Sequence, residues 1–369
     1  MTLKKLVAVG VLMFTLYSCA QNNTQTNDNH SYELVVPDLQ IPWGFVFLPD
    51  NAMLITEKKG DIIHFKNGVK TIIEGVPEVY NRGQGGLLDI QLHPNYKNNG
   101  WIYITYASSE GDDKGGNTAL MRAKLKNDTL VEKQLLYKAT PNTTNGQHFG
   151  SRILFDNKGD LYVSIGERGN RDENPQDLSR DGGKIYRFHD DGSIPSDNPF
   201  IQTPNAKPGI YSYGHRNPQG MALHPKTGEV WIHEHGPKGG DEINIIKPGA
   251  NYGWPKVSYG VNYSGTKFTK HTSLPGMEPP NHYWVPSIAP SGMAFITSNK
   301  YPEWKGNLLV GSLKFQYLDN CYLNHDKVIK EERLLDGLGR VRSVVQGPDG
   351  YIYVGIENLG IVKLLPSKQ

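Results

Sequence analysis

The chain is poor in cysteine, in charge of one sign and in long apolar runs. Two cysteines in 369 residues exclude a fold held together by several disulfides, and a chain of this length can bury enough surface to be stable without them. The 39 Lys and Arg are almost balanced by 37 Asp and Glu, which argues against a broad surface for nucleic acid. Segments with a sustained 3.6-residue apolar period are absent, so helices are not expected to dominate the fold.

The residue types that are abundant favour short strands. The 41 Gly and 24 Pro occur together with many aromatic and β-branched residues, a composition typical of strands joined by tight turns. A turn that contains Pro, Asp or Gly and leads into an apolar strand recurs six times. The six copies are centred on Leu54, Ile102, Tyr162, Trp231, Leu309 and Tyr353.

The spacing of these copies predicts the architecture. Four strands with their turns need roughly 40–50 residues, the size of one propeller blade, and wider spacings leave room for functional loops. We therefore predict an all-β, six-bladed β-propeller in which each copy is an inner strand lining a central channel; a pair of β-sandwiches is the alternative. Charged residues such as Glu167, Glu234 and Lys314 follow several copies at the same end, so a site is expected at that mouth of the channel.

The N-terminus has the pattern of an export signal. Lys4 and Lys5 precede an apolar run, residues 6–16, that is too short to cross a membrane as a helix. The following Leu-Tyr-Ser-Cys, which ends at Cys19, resembles a bacterial lipoprotein cleavage box. A signal peptide with an incidental cysteine is the alternative.

These patterns predict the domain organisation. Residues 1–18 would be a lipoprotein signal peptide, and residues 19–31 a polar tether behind a lipidated Cys19. Residues 32–366 would form one catalytic propeller. Removal of residues 1–18 takes away two lysines and leaves equal numbers of basic and acidic residues. The expected location is the bacterial cell envelope, with the protein anchored to a membrane by its lipid.

One segment concentrates candidate ligands for a metal ion. Gly236 and Pro237 bend the chain after a predicted strand, and such a turn can present backbone carbonyl groups. Asp241 and Glu242 add carboxylates, and a second tight turn at Tyr252 can add another carbonyl. Calcium binds this combination of oxygen ligands. A solvated acidic loop is the equally plain alternative.

Basic residues cluster at the predicted mouth. Arg216, next to Asn217, would either hold backbone carbonyls or bind an anionic ligand. Arg340 and Arg342 lie two residues apart, so in a strand they share one face and repel each other unless an anion lies between them. Lys314 adds a third cation. A polycarboxylate ligand would explain the three cations together, whereas a solvated basic face is the alternative.

Two further residues are candidates for substrate contacts. Gln84 lies among glycines, which let a backbone approach a ligand closely; it could bind a sugar or a carboxylate, or only hold a turn. His148 stands in a glycine-flanked turn, with Arg152 close behind it. It could accept a proton at the mouth of the site, or be an ordinary histidine in a surface loop.

Seven segments, taken in order, resemble the soluble PQQ-dependent glucose dehydrogenases, and more closely their shorter branch, the bacterial aldose sugar dehydrogenases. They span about residues 80–355. The segments are GQGGLLDIQLHP, QHFGSRILF, GERGNRDENPQDLSRDGGKIYRF, YGHRNPQGMALHP, HGPKGGDEINIIKPGANYGWP, SIAPSGMAF and GRVRSVVQGPDGYIYV. The resemblance implies a propeller with PQQ over its central channel.

The resemblance also implies roles for individual residues. His148 matches the catalytic base, and Gln84 matches a polar residue beside the base and the substrate. Arg216 and Asn217 match cofactor contacts, with Arg216 beside the reactive carbonyl. Ser287 stands where the glucose dehydrogenases have a threonine that contacts the cofactor.

The metal ligands and the cofactor cations follow in the same way. The carbonyls of Gly236 and Pro237 match those that hold a calcium ion bound to PQQ. Glu242 and the Tyr252 carbonyl match ligands of a second, structural calcium. The cations that would pair with the PQQ carboxylates are Lys314, Arg340 and Arg342.

One departure from the family pattern concerns the base. The glucose dehydrogenases have an acid before the catalytic histidine, and this chain has Gln147, so another acid could orient the imidazole. The expected activity is oxidation of the anomeric carbon of an aldose to a lactone, with electrons passed to an external acceptor. A propeller lipoprotein that binds glycans or proteins without catalysis, and a calcium-dependent lactonase, are the alternatives.

Overall fold

The computed structural model describes residues 24–27 and 30–366, and their regular structure is nearly all β. The helices in this part of the chain are a four-residue α-helix, α1 (Tyr96–Asn99), and a 3-10 helix (Pro302–Trp304). Neither is long and apolar enough to cross a membrane. The predicted signal peptide and Cys19 lie outside the described residues.

Twenty-five strands within the described ranges form six antiparallel sheets. In chain order they are β1 (Thr24–Asn27), β2 (His30–Pro37), β3 (Pro42–Phe47), β4 (Met53–Glu57), β5 (Ile62–Lys66), β6 (Val69–Ile72), β7 (Leu87–Leu92), β8 (Trp101–Ser108), β9 (Asn117–Lys126), β10 (Thr129–Lys138), β11 (Ile153–Phe155), β12 (Leu161–Ile165), β13 (Lys184–Phe188), β14 (Ile210–Tyr213), β15 (Pro218–Leu223), β16 (Val230–Glu234), β17 (Asp241–Ile245), β18 (His282–Trp284), β19 (Pro290–Phe295), β20 (Leu308–Ser312), β21 (Leu318–Asn324), β22 (Lys327–Leu334), β23 (Val341–Gln346), β24 (Ile352–Ile356) and β25 (Gly360–Leu364). Blades 1 to 5 are four consecutive strands each, starting at β3, β7, β11, β15 and β19.

The start of the chain closes the last blade. Blade 6 has the order β1-β2-β25-β24-β23, and β2 pairs antiparallel with β25, Tyr32 opposite Leu364. This confirms the predicted six-bladed β-propeller. The paired structure also begins earlier than expected, because β1 and the start of β2 lie inside the segment assigned to a tether. Backbone pairing needs no apolar side chains, so composition gave no sign of these strands.

The first strands of the six blades surround the channel. β3, β7, β11, β15, β19 and β23 each contact the next, and β23 contacts β3. The six copies of the sequence repeat are the second strands, so their assignment as inner strands was wrong. Second strands such as β4, β12 and β16 are buried along their whole length, because they have a strand on each edge and a blade on each face. That burial produces the uninterrupted apolar run seen in the sequence.

The blades pack on each other through apolar side chains. Between blades 4 and 5, Trp231 of β16 meets Phe295 of β19 edge to face, with ring centroids 5.5 Å apart. Leu308 and Val310 of β20 belong to the same buried cluster. Such edge-to-face aromatic contacts add to the free energy of burying apolar surface. Each blade therefore depends on its neighbours for its core.

Arg152 ties the blades together inside the channel. Its guanidinium group donates hydrogen bonds to the carbonyl oxygens of Trp43 (3.2 Å), Gln219 (2.7 Å) and Arg342 (2.9 Å). It also pairs with the carboxylate of Asp89 at 3.1 Å. These partners lie on β3, β15, β23 and β7, and all five residues are buried. The arginine that the sequence placed close behind His148 is therefore a structural hub.

We expect Asp89→Asn to destabilise the protein strongly. The substitution leaves the Arg152 charge buried without its carboxylate, and breaking a buried pair in this way typically costs about 3–5 kcal/mol. Urea unfolding measures the loss. The matched control is Asp50→Asn, which removes a pair with Lys66 of similar length, 2.7 Å, between side chains that are half exposed; surface pairs contribute about 1 kcal/mol or less. Equal losses in the two variants would contradict the role of Arg152.

Candidate functional site

A cavity of about 390 Å³ opens at the end of the channel where the second strands finish. Its size is that of sites that hold small organic ligands. We call it the mouth cavity. Its polar lining comes from blades 1, 4 and 6 and from the loop before blade 2, and consists of Lys58, Gln84, Gln219, His235, Tyr263, Arg340, Arg342 and Glu357.

His148 lies directly behind this lining. Its backbone N–H donates to Gln84 Oε1 at 2.8 Å, and the Gln84 N–H donates to the Gly146 carbonyl at 2.6 Å. The backbone of His148 has φ 57°, a left-handed conformation that is strained for a residue with a side chain and often marks a functional position. Gln84 thus lines the cavity and also holds the turn that carries His148.

Glu167 orients the imidazole of His148. Its Oε1 contacts His148 Nδ1, and the side chains of the two residues are 2% and 10% exposed. Glu167 follows β12, and its backbone N–H donates to the Arg216 carbonyl at 2.8 Å. Gln147, by contrast, is exposed. The acid that the family pattern has next to the histidine is therefore replaced by one 19 residues further along the chain.

The surroundings of His148 favour the neutral imidazole. Burial lowers the pKa of His148, the guanidinium of Arg216 lowers it further, and the hydrogen bond to Glu167 opposes both. A carboxylate that accepts from Nδ1 leaves Nε2 with its lone pair. The arrangement supplies a proton acceptor beside the mouth cavity.

Arg168 also holds the turn that carries His148. It is fully buried, and its guanidinium donates to the carbonyls of Asn145 (2.7 Å), Gly116 (3.1 Å) and Gln147. It also lies over the ring of Phe149, 3.4 Å from the centroid, a cation–π contact. Burial lowers the pKa of Arg168 to about 9. The loop around His148 is consequently fixed on both sides.

Arg216 and Asn217 lie between β14 and β15, next to His148. Arg216 Nη1 donates to the carbonyls of His235 (3.1 Å) and Gly236 (2.8 Å). One nitrogen of this arginine therefore holds backbone carbonyls, which was one of its two predicted roles. Its other side-chain nitrogens make no hydrogen bond to the described residues. Asn217 is fully buried; its Oδ1 accepts from the Gly150 N–H at 3.0 Å, while its Nδ2 has no acceptor in the described chain.

Three of the four predicted metal ligands line a second, much smaller cavity, whereas Pro237 does not. Gly236, Glu242 and Tyr252 line it together with Arg216 and Glu234. Burial and the neighbouring charge of Glu234 raise the pKa of Glu242 to about 8. Two crowded carboxylates would gain from a cation between them. Within residues 24–27 and 30–366, however, no group of three or more His, Cys, Asp or Glu is placed to hold a metal ion, so backbone carbonyls would have to complete the site.

Asp241 fixes the turn between the two cavities. Its Oδ1 accepts from the Gly236 N–H and its Oδ2 from the Ala289 N–H, both at 2.7 Å. The Pro237 carbonyl accepts from Ser287 Oγ at 3.2 Å. Ser287 therefore contacts the predicted metal turn. Burial raises the pKa of Asp241 to about 6, opposed by these hydrogen bonds.

Glu357 lies between the two arginines of blade 6 and offsets the repulsion between their charges. Arg340 Nε donates to Glu357 Oε2 at 2.7 Å, and Arg342 Nε donates to Oε1 at 2.9 Å. The argument that they need an external anion was therefore wrong. Both still line the mouth cavity, as predicted.

Lys314 is not part of the cavity lining. It is exposed, and its ammonium lies over the ring of Phe315, 4.8 Å from the centroid. Lys58, which sequence reasoning missed, supplies the third cation. Its Nζ donates to Asn81 Oδ1 and to the Gly83 carbonyl, both at 3.0 Å, so the ammonium is fixed at the cavity edge.

Several acidic residues share one position in the repeat; sequence reasoning singled out Glu167 and Glu234 there and missed Glu57 and Glu357. A glutamate stands at the end of the second strand, or within two residues of it, in five of the six blades. These residues are Glu57, Glu110, Glu167, Glu234 and Glu357. An alignment of the six copies would have shown this recurrence and predicted carboxylates at the mouth.

Known proteins of this fold are similar to the chain in sequence and in structure. The aldose sugar dehydrogenase YliI of Escherichia coli is 43% identical over 330 residues, 87% of this chain and 88% of that protein. Quinoprotein glucose dehydrogenase B of Acinetobacter calcoaceticus is 31% identical over 324 residues, 79% of this chain and 65% of that protein.

Two solved structures also resemble this chain. The soluble aldose sugar dehydrogenase of E. coli in the apo-form superposes with a TM-score of 0.87 at 42% identity, covering 91% of this chain and 99% of that one. The PQQ-bound aldose sugar dehydrogenase of Streptomyces coelicolor superposes with a TM-score of 0.74 at 28% identity, covering 90% and 96%. The family described as Glucose / Sorbosone dehydrogenase matches residues 39–363. The chain belongs to the glucose/sorbosone dehydrogenase family.

Proposed function

We propose that this protein is a PQQ-dependent dehydrogenase that oxidises the anomeric carbon of aldose sugars. The observation that carries the proposal is the neutral, buried His148, oriented by Glu167 and placed behind the basic lining of the mouth cavity. The names of the similar proteins, which include aldose sugar dehydrogenases and a quinoprotein glucose dehydrogenase, support the same reaction class.

The residues at the mouth fit PQQ, which is an ortho-quinone with three carboxylates. Arg340, Arg342 and Lys58 supply three cations against the single charge of Glu357. Asn217 Nδ2 is a buried donor that has no acceptor among the described residues. Arg216, Asn217 and Ser287 would contact the cofactor, while Arg340 and Arg342 would pair with its carboxylates.

The turn at Gly236 and Pro237 and the small cavity beside it fit hard cations such as calcium. For the calcium next to PQQ, each of the carbonyls of Gly236 and Pro237 accepts a hydrogen bond from a side chain, and a carbonyl oxygen has a second lone pair for a metal. For the second, structural calcium, Glu242 would supply a carboxylate whose charged form is disfavoured by burial, and the Tyr252 carbonyl would add an oxygen ligand. When bound, PQQ supplies a two-electron acceptor and calcium polarises it as a Lewis acid.

The protein's own residues would move the proton. His148 Nε2 accepts the proton of the anomeric hydroxyl while the hydrogen on C1 leaves with its electron pair, and the sugar becomes a lactone. Glu167 stabilises the imidazolium that forms and keeps the ring in place. Gln84 holds the turn by its Oε1, and its amide nitrogen can donate to a sugar hydroxyl. The electrons would then pass to an external acceptor.

His148→Ala should lower turnover by about 10²-fold or more, the usual loss when a general base is removed. The affinity for PQQ should change little, because the imidazole acts on the substrate. Turnover is measured by dye reduction over a panel of aldoses after reconstitution of the purified protein with PQQ and calcium. His189→Ala, at an exposed histidine paired with Asp160, is the matched control and should keep normal turnover.

A further variant tests the orientation of the base. Glu167→Gln removes the charge that raises the pKa of His148, so the acid limb of the pH–rate profile should move to lower pH while maximal turnover falls. If cofactor-saturated His148→Ala turned over substrate as fast as the wild type, His148 would not be the base of the reaction.

Arg340→Ala should weaken PQQ binding by roughly one to two decades, since a hydrogen bond to a charged group contributes about 1.5–3 kcal/mol. Arg340 is the better choice than Arg342, because it is half exposed and its loss does not disturb the channel. Titration of PQQ is followed by tryptophan fluorescence and by melting temperature, which bound ligand raises. Arg333→Ala, an exposed arginine over Tyr317, should bind PQQ normally; equal affinities in both variants would place the cofactor elsewhere.

We also propose that the protein is a lipoprotein of the cell envelope. Cys19→Ser should release it from the membrane fraction or block processing of the precursor, because the thiol would carry the lipid. Fractionation and gel mobility in the bacterial host test this. A variant that fractionates and migrates like the wild type would show that Cys19 carries no lipid.

A further inference from the structure

A third cavity, of about 510 Å³, lies at the end of the propeller opposite the mouth cavity. We call it the opposite-face cavity. It is formed between blades 4 and 5 by the turn that joins β15 to β16, by residues 305–307 ahead of β20 and by the β21–β22 hairpin. None of its lining residues takes part in the site described above.

His224 contributes a hydrogen-bond donor to this cavity. The backbone N–H of Thr227 donates to His224 Nδ1 at 3.1 Å, and an amide can only donate, so Nδ1 is unprotonated. Burial lowers the pKa of His224, so the ring is neutral and Nε2 carries the hydrogen. This Nε2–H has no hydrogen-bond partner within the part of the chain that the structure describes.

The same turn in blade 2 shows that this open donor is unusual. His93 occupies the equivalent Leu-His-Pro position, and its Nδ1 accepts from the Asn95 N–H at 2.9 Å. Its Nε2, however, lies 3.4 Å from Asp190 Oδ2. The histidine therefore holds a turn in both blades. Of the two, only His224 in blade 4 has a second ring nitrogen that the described residues leave free to bind a ligand.

Asn307 contributes a fixed acceptor. Asn320 Nδ2 donates to Glu332 Oε2 at 3.2 Å, so Asn320 Oδ1 accepts from Asn307 Nδ2 at 2.9 Å. This chain of hydrogen bonds fixes the orientation of the Asn307 amide and leaves its Oδ1 without a donor from the described residues. Asn307 is 7% exposed and lines the cavity.

The remaining lining selects against a ligand of one charge. Lys226 and Lys305 line the cavity together with Glu229 and Asp326. A ligand of either charge would therefore lie near side chains of the same charge. Hydroxyl groups both donate and accept hydrogen bonds, so a neutral ligand that carries them can bond to all four of these side chains. The ring of His224 stacks on Trp231 with centroids 5.6 Å apart, which gives the cavity a rigid aromatic wall.

We propose that the opposite-face cavity is a second carbohydrate site, which binds a neutral saccharide without oxidising it. The sugar hydroxyls would accept from His224 Nε2–H and donate to Asn307 Oδ1, and the apolar face of the ring would pack on the imidazole. The site lies at the opposite end of the propeller from His148 and from the basic lining of the mouth cavity. Binding here is independent of the proposed dehydrogenase activity.

The test uses maltitol, a reduced disaccharide that has no anomeric hydroxyl and cannot become a lactone. Saturation-transfer NMR titration of the purified full chain gives its affinity. His224→Phe keeps the stacked ring but removes the donor, so maltitol should bind roughly three- to tenfold more weakly, the loss expected for one neutral hydrogen bond. Asn307→Ser should weaken binding independently. The matched control, His93→Phe, should bind maltitol like the wild type.

Turnover of aldoses should be unchanged in His224→Phe, which separates this site from the mouth. The proposal is overturned if the wild type does not bind maltitol, if neither cavity variant weakens binding, or if His93→Phe weakens it as much as His224→Phe. It is also overturned if binding is lost in Gln84→Ala, since the saccharide would then occupy the mouth cavity.

Discussion

The channel depends on one buried guanidinium group. Arg152, at the start of blade 3, reaches carbonyl groups of blades 1, 4 and 6 and the carboxylate of Asp89 in blade 2. Backbone pairing between neighbouring blades is confined to isolated bridges near their outer strands, such as Glu74 with Thr129, so side chains must fix the relative positions of the first strands. Because Gln219 and Arg342 bond to each other at 3.0 Å and also line the mouth cavity, the shape of the site follows from this central contact.

A second constraint acts at the ends of the second strands. Five blades have a glutamate there. Glu110 is exposed, whereas the other four are buried to different degrees and each must satisfy its charge locally. Glu57 accepts from a backbone N–H, Glu234 from His215 and the Arg216 N–H, and Glu357 from two arginines. Only Glu167 contacts the imidazole of His148 beside the mouth cavity. One structural position has thus acquired four uses, of which one is suited to orient a base.

The sequence repeat was enough to predict six blades and the end of the channel at which the mouth cavity opens. It did not distinguish first from second strands, because a continuous apolar run shows only that a strand is buried on both faces. It does not show how far the strand lies from the axis of the channel. The charge of Glu357 was missed for a related reason. Val341 pairs with Ile356 across the β23–β24 hairpin, so Arg342 and Glu357 are neighbours in space although they are 15 residues apart. Lys314 was misplaced because strand position alone does not fix where a long side chain turns.

Both ends of the propeller show how a repeat produces sites. Every blade must satisfy the same turn amides and strand ends, so the same residue types recur, as His93 and His224 do at one end and the glutamates do at the other. Each of these side chains has a second polar atom that the repeat itself does not use. The neighbouring blade either pairs it, as Asp190 pairs His93, or leaves it free, as for His224. Sites in this fold are therefore expected where a repeated polar residue meets a blade that lacks its partner, since an unpaired polar group gains most from a ligand.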